Sequence, residues 1–302
     1  MSTTSDVPDP STREGLDTIL DITRGAAREA AQLVLGGFRR DVTVEHKGVV
    51  DLVTSFDRDS EKLLRRRLST ALPFAIVGEE QGGAAQPIAF YVDPVDGTTN
   101  FVHGHPFWCV SIGLVVSGEP VLGVVISPPL GVEWYGWIAA SGERLAVRRS
   151  AENAIAFDEH ARLNVVEEAC SVSTTAALED ALLATGFPYD RRTSPDNNFD
   201  AFVAIKQRCQ AVRRCGSAAL DLCLVADGTY EGYWERKLRP WDIAAGIALV
   251  RAAGGKVTDF EGGATYMEQG HVIATNGVIH DALTSELARV VPSQRGGVPR
   301  AG

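Results

Sequence analysis

Apolar residues near the start of the chain recur at a helical period. Leu16, Ile19, Ile22, Ala26, Ala30, Leu33 and Val34 fall on one face, so the spacing predicts an amphipathic helix over 14–35, stopped by Gly36 and Gly37. Leu63, Leu64 and Leu68 form a second stripe within 58–71, with Thr54, Ser55 or Asp57 placed to cap it. Short β-rich runs predict strands at 42–44, 74–77, 88–92, 109–116, 121–127 and 134–139. The long apolar run 110–130 is broken by Gly113, Ser117, Gly118, Glu119 and Pro120, so it reads as two strands and a turn, not as a membrane span. Beyond it, 176–184 reads as a helix, 190–198 as a polar loop and 199–208 as a helix. A strand at 212–213, a helix at 216–225 and a strand at 230–234 follow. A helix at 241–252, closed by Gly254 and Gly255, precedes a strand at 272–273 and a last helix at 281–290. The stretch 144–169 shows no clear period. Residues 1–12 and 292–302 are read as a disordered lead and tail around one folded unit, 13–291. That unit divides into an N-terminal α+β half (13–175) and a C-terminal α/β half (176–291). Helices and strands alternate in clusters with hairpins among them, which predicts layered α/β packing.

Composition narrows the function. The chain has 302 residues, 45% hydrophobic and 23% charged, as in an ordinary globular protein with an ample core. Lys and Arg number 29 against 39 Asp and Glu, giving a net charge of −10. An acidic chain lacks the footprint of a nucleic-acid binder, and an anionic substrate would need cations to offset the repulsion. The cysteines Cys109, Cys170, Cys209, Cys215 and Cys223 form no CxxC pair, so free thiols in a reducing compartment are expected. Without a secretory-type leader, the expected location is the cytoplasm.

The chemistry centres on Tyr91-Val92-Asp93-Pro94-Val95-Asp96-Gly97-Thr98-Thr99-Asn100-Phe101. Two carboxylates flank a proline at the end of a strand, and a glycine and two threonines open what reads as a helix. Pro94 forbids a regular ladder, so a turn is expected that aims Asp93 and Asp96 into one pocket. Gly97 lets backbone approach a ligand, and the amides of Gly97, Thr98 and Thr99 suit a phosphate. Two carboxylates bind a phosphate only with hard cations between them, and carboxylate, carbonyl and water are the ligands Mg²⁺ prefers. Asp-Pro and Asp-Gly are also ordinary turn signals, so the rest of the chain must supply more ligands. Glu79 follows a strand and Gly78, at the edge where layered α/β folds bind ligands. Asp242 sits in the first turn of a helix, where it could simply complement the helix dipole, and Asp57 could be only a cap.

Four segments in this order resemble the inositol monophosphatase family, within the Mg²⁺-dependent, lithium-sensitive phosphatases: Asp51-Leu52-Val53-Thr54-Ser55-Phe56-Asp57; Gly78-Glu79-Glu80; Asp93 to Phe101 with Pro106 and Ser111-Ile112-Gly113; and Trp241-Asp242-Ile243-Ala244-Ala245-Gly246 with Ala253-Gly254-Gly255. The resemblance spans roughly 14–290. It implies a layered αβαβα sandwich, usually a homodimer. It implies two to three Mg²⁺ ions: Glu79, Asp93 and the Val95 carbonyl on one, Asp93, Asp96 and Asp242 on a second, and Glu79 with water on a weaker third. Thr98, partnered by Asp57, would help Glu79 orient and deprotonate the attacking water. Gly97 and Thr98 would hold the phosphate, with Asp96 beside it, and Gly216, Ser217, Ala218 and Glu235 would meet the substrate's hydroxyls. The implied reaction is hydrolysis of a small phosphate monoester, inositol 1-phosphate first. Alternatives are histidinol phosphate, fructose 1,6-bisphosphate, a nucleotide 3′-phosphate, or a non-enzymatic role beside the transcription machinery. A two-carboxylate glycosidase fits less well, because five clustered acids and a Gly-Thr turn exceed its needs. The family's Gly-x-Gly-Ala and Asn-Gly turns are missing at Ala140-Ser141-Gly142-Glu143-Arg144-Leu145, which puts that hairpin in doubt. The Arg191-Arg192 loop is basic in an acidic chain.

Overall fold

The computed structural model describes residues 7–46, 52–151 and 165–290. The expected tail, the loop at Lys47 and Gly48, Asp51 and the start of the lead lie outside these residues. Residues 9–12, read with the lead, form a hydrogen-bonded turn in which Thr12 accepts the Gly15 amide at 3.1 Å and caps helix α1 (Arg13–Leu35). A two-stranded ribbon, β1 (Val44–His46) and β2 (Leu52–Thr54), leads into α2 (Ser55–Ala71). Thr54 and Asp57 cap α2 reciprocally, in a capping box.

A seven-stranded sheet follows, built from β3 (Ala75–Gly78), β4 (Ile88–Asp96), the short helix α3 (Thr98–Val102) at its rim, β5 (Cys109–Val116), β6 (Glu119–Ser127), β7 (Val132–Ile138), β8 (Arg144–Ala151) and β9 (Val165–Ala169). The strands lie in sequence order, with β3 and β4 parallel and every later pair antiparallel. The β5–β6 turn is tighter than its sequence suggests. Only Ser117 and Gly118 form it, with φ of 51° and 88°, while Glu119 and Pro120 already belong to β6. Two positive-φ residues match the twist of a hairpin. The aperiodic stretch 144–169 contributes β8 and β9, whose exposed residues obscure an alternating pattern. The β7–β8 hairpin closes without the two missing turns, through Ala139 donating to the Glu143 carbonyl at 2.9 Å and Gly142 at φ 91°.

The C-terminal part supplies β10 (Leu182–Thr185), α4 (Phe199–Lys206), β11 (Ala211–Arg213), α5 (Ala218–Ala226), β12 (Gly232–Glu235), α6 (Pro240–Ala252), β13 (Lys256–Thr258), α7 (Tyr266–Gln269), β14 (Val272–Thr275) and α8 (His280–Ala288). The second sheet has the order β11-β10-β12-β14-β13. Here the expected helix at 176–184 is wrong: a 3₁₀ turn at Leu178–Asp180 runs into β10. Parallel pairing of β10 with both β11 and β12 overrides the local helical preference. The strand β13 and the helix α7 carry too few apolar residues to show a period.

The layers alternate as αβαβα, as the family resemblance implies. Helices α1 and α2 bury Leu16, Ile19, Ala27, Leu64 and Leu68 against one face of the large sheet, where Ile112, Leu114, Val124 and Ile126 point. Helices α5 and α6 fill the space between the sheets, and Ile205, Leu283 and Leu287 of α4 and α8 cover the far face of the small one. Helix α6 lies very close to the large sheet. Gly113 and Gly123 pair across β5 and β6, and a Cβ on either would come within 2.6 Å of Ala244 or Ala245. The run Ile243-Ala244-Ala245-Gly246 is thus a packing surface that seats α6 and its first-turn carboxylate.

Candidate active site

Parallel register brings the first two acids together. Gly78 of β3 sits opposite Val92 of β4, so Glu79 and Asp93 leave the sheet side by side, and the Glu79 amide donates to the Val92 carbonyl at 3.3 Å. Strand β4 does not turn at Pro94 as expected. It continues to Asp96 through a bulge: Asp93 pairs Ser111 and Asp96 pairs Cys109, so one residue is extra on β4. A bulge accommodates a proline, which has no amide to donate, and re-aims the side chains around it. The Val95 amide donates to Asp93 Oδ1 at 3.0 Å, fixing that carboxylate. Gly97 then takes φ 95° and ψ 38°, a left-handed conformation costly for any residue with a Cβ. A Cβ there would also meet the Phe107 carbonyl at 3.0 Å and the Gly216 carbonyl at 3.3 Å.

Distant segments complete the site. The Thr98 hydroxyl lies 3.0 Å from both Asp57 Oδ1 and the Val95 carbonyl, so its one proton has two acceptors. Asp57 Oδ2 meanwhile accepts the Thr54 amide at 2.9 Å. Capping α2 and positioning Thr98 are therefore two jobs of one buried carboxylate. Ser217 caps α5 and donates to Asp96 Oδ2 at 2.7 Å, and the Ala219 amide reaches the same oxygen at 2.7 Å. Asp242 Oδ2 accepts the Arg239 amide at 2.7 Å, which makes it a helix-start acceptor as well as a neighbour of the cluster. Glu235, at the end of β12, receives the Tyr233 hydroxyl on Oε2 and lies against Gly186, where even a methyl group would collide with it. Asn100 ties the two halves by donating to the Cys215 carbonyl at 2.8 Å and the Phe107 carbonyl at 2.7 Å.

The electrostatics are those of crowded acids. Burial, then Glu79, Asp96 and Asp242, hold the Asp93 carboxyl well above its ordinary value. Burial pushes Asp96 up to about 6 against the hydrogen bonds from Ser217, Ala219 and Ala218. Burial also raises Asp242, opposed by the Arg239 amide and reinforced by Asp96, Glu79 and Glu235. Glu235 rises to about 7, chiefly through burial, and Asp57 rises for the same reason despite its hydrogen bonds from Thr54 and Thr98. Such a cluster fits divalent cations, whose charge removes the repulsion. Among the described residues no three His, Cys, Asp or Glu side chains close into a metal cage.

A match to the model of the inositol monophosphatase family extends over residues 15–292. The chain belongs to this family. An inositol-1-monophosphatase of Synechocystis is 39% identical over 278 residues, 90% of each chain. The structure of an inositol monophosphatase from Anabaena is 36% identical and superposes with a TM-score of 0.75, covering 92% of this chain and 98% of that one. A Pseudomonas aeruginosa protein named Nus factor SuhB is 35% identical over 92% of this chain and 98% of its own. The family is one of metal-dependent phosphatases acting on small phosphorylated compounds. Among this member's described residues, no helix is long and apolar enough to cross a membrane.

The structure gathers Glu79, Asp93, Val95, Asp96, Asp242, Gly97, Thr98, Asp57, Gly216, Ser217, Ala218 and Glu235 around one site. Two residues there were not picked out from the sequence. Asp221, fully buried on α5, has one oxygen without a hydrogen-bond partner among the described residues, and its carboxyl is raised well above the usual range by burial, Glu235 and Asp96. An acid inside the apolar helix Ala218–Ala226 was the available signal. Arg214 acts on both Asp221 and Glu235, and only tertiary structure places it there.

Proposed function

We propose that this protein is a Mg²⁺-dependent phosphomonoesterase whose first substrate is inositol 1-phosphate or a similar polyol phosphate. The observation behind this reading is the convergence of Glu79, Asp93, Asp96 and Asp242 on a bulge that leads into a left-handed glycine and the Thr98–Asp57 pair. Glu79, Asp93, Asp96, Asp242 and the Val95 carbonyl would hold two to three ions. Mg²⁺ bound there neutralises phosphate charge and makes water a stronger acid. The chain's own groups supply the rest. Thr98, fixed by Asp57 and the Val95 carbonyl, helps Glu79 orient the attacking water, and the Glu79 carboxylate takes up its proton. The amides of Gly97 and Thr98 hold the phosphate. Glu235, with the backbone of Gly216 and Ala218, receives substrate hydroxyls, while Ser217 also steadies Asp96. A carboxylate at Glu235 favours neutral polyols or amine-bearing substrates. Histidinol phosphate, fructose 1,6-bisphosphate and nucleotide 3′-phosphates are the runners-up. The same reading includes a homodimer, inhibition by millimolar Li⁺ through the Asp96–Asp242 ion position, and a cytoplasmic location consistent with five free cysteines.

The test is phosphate release from inositol 1-phosphate, histidinol phosphate and fructose 1,6-bisphosphate, each with and without Mg²⁺. Mg²⁺-dependent release from inositol 1-phosphate above the other two is expected, and no release from any of them overturns the reading. The relatives named Nus factor SuhB favour a second reading, an accessory of the transcription machinery. Co-purification of RNA polymerase with a tagged chain that hydrolyses none of the three esters would establish it instead.

A further inference from the structure

Helix α2 buries more than an apolar stripe. Leu64 and Leu68 continue its inner face into the core, but the first turns of that face bury Asp57, Ser60 and Glu61 completely. Residues spaced i, i+3 and i+4 share one side of a helix, so three polar groups meet the strand ends that carry the site. Asp57 holds Thr98. Ser60 donates to the Pro94 carbonyl at 3.3 Å, in the bulge of β4. Glu61 holds the turn that carries Glu79: its Oε2 accepts the Glu80 amide at 2.6 Å and its Oε1 the Gln81 amide at 3.1 Å. Arg65, one helical turn on, donates to Glu61 Oε1 at 2.7 Å, to the Ile76 carbonyl at 3.1 Å and to the Gly82 carbonyl. Since the Glu79 amide already binds the Val92 carbonyl, the three consecutive amides at 79, 80 and 81 are all fixed. Gly78 must lack a side chain, because a Cβ there would collide with the Glu61 carboxylate. Glu80 is half-buried and Gln81 exposed, so water could satisfy their amides. Replacing a buried ion pair by apolar residues is often neutral for stability. What the Glu61–Arg65 pair supplies is direction, through charge-assisted bonds that fix the turn against α2.

We propose that Glu61, braced by Arg65, is a positioning residue that places Glu79 relative to Asp93 and so sets the affinity for the ion these two acids share. This role rests on the reading of Glu79 and Asp93 as Mg²⁺ ligands and extends it to the group that orders one of them before the ion arrives. Without Glu61 the repulsion between Glu79 and Asp93 would be free to push the turn away from β4. The ion would then have to pull Glu79 back, at a cost in affinity.

Calorimetric titration with Mg²⁺ compares the native protein with Glu61→Gln, whose side-chain amide turns an N–H toward a donor in either orientation. Glu133→Ala, on the opposite side of α1, serves as a variant that loses stability without touching the site. Partners of metal ligands are worth about 10–100-fold in affinity, so Glu61→Gln should bind Mg²⁺ at least about tenfold more weakly. Its half-saturating Mg²⁺ for phosphate release should rise in step, while KM for inositol 1-phosphate at saturating Mg²⁺ stays within about twofold of native. Glu133→Ala should bind Mg²⁺ as the native protein does. Unchanged affinity in Glu61→Gln, or an equal loss in both variants, overturns the positioning role. Should Glu61→Gln fail to fold by circular dichroism, Arg65→Ala replaces it, and native Mg²⁺ affinity in that variant overturns the role as well. If the native protein binds Mg²⁺ but cleaves none of the esters, the phosphatase reading fails, and the titrations still decide Glu61. If the native protein binds no Mg²⁺, both fall.

Discussion

Single carboxylates in this site do two things at once, and that duplication shapes what substitutions should do. Asp93 is repelled by three neighbouring acids and is held by the Val95 amide. Asp93→Asn should therefore cut Mg²⁺-dependent turnover by at least about a hundredfold, since even residues that merely support metal ligands cost up to that much. Its melting temperature in metal-free buffer should not fall, because a repelled charge is removed. Retained turnover in a phosphate-release assay would contradict its assignment as a ligand. Glu235 makes a pH prediction. Its carboxyl moves from an ordinary 4.5 to about 7 in the folded protein. The unfolded chain thus ionises first as pH rises, so this group's stabilising contribution is full below about 4.5 and is lost by about 7. Denaturant unfolding without metal should show Glu235→Gln gaining roughly 2–3 kcal/mol on the native protein between those pH values. A gap that stays constant with pH would show that Glu235 does not hold its proton.

At the scale of elements, function depends on how closely α6 and α5 approach the sheets and on how α1 is tied to the large one. Helix α1 meets β7 through Glu133, which is fully buried and receives Arg24 Nε at 2.8 Å and Arg28 Nη2 at 2.8 Å. Glu133→Ala would leave those arginines partly buried without their acceptor, and urea unfolding should report a loss of about 3–5 kcal/mol. A loss under about 1 kcal/mol would mean that water compensates and that the network adds little. Strand periods were legible for β3 to β7 because most of their inward residues are apolar, with Glu133 a buried exception on β7. They failed at β8 and β9, which carry exposed polar residues, and at β10, whose leucines and alanines suit a helix until β11 and β12 pair with it.

For the whole molecule, the proposed cations sit where the two halves of the chain meet. Glu79, Asp93 and Asp96 come from the large sheet and Asp242 from the helix packed between the sheets. Ion binding should therefore stabilise one cooperative unit. Mg²⁺ at a hundred times its dissociation constant adds about 2.7 kcal/mol, roughly 4 °C in melting temperature for a chain of this size. Calorimetry should show this shift for the native protein against NaCl of equal ionic strength, and little or none for Asp93→Asn. An equal shift in both would mean that Mg²⁺ acts only by screening the net charge of −10.

By itself, the sequence determined which atoms are available. Asp93-Pro94-Val95-Asp96-Gly97-Thr98, Gly78-Glu79 and Trp241-Asp242 announce a cation-and-phosphate chemistry through residue type and spacing alone, and helical and alternating periods determine most of the layers. Only the tertiary structure decided how those atoms meet. The β3–β4 register sets Glu79 beside Asp93, the bulge at Pro94 replaces the expected turn, and Gly113 and Gly123 let α6 bring Asp242 down onto the sheet. Ser217, read as a substrate contact, also donates to Asp96, and Asp221 and Arg214 join the site across more than a hundred residues of chain. Local spacing encodes chemistry because neighbouring residues share an element. Distances between elements depend on packing and pairing partners far away in the chain, which no local pattern contains.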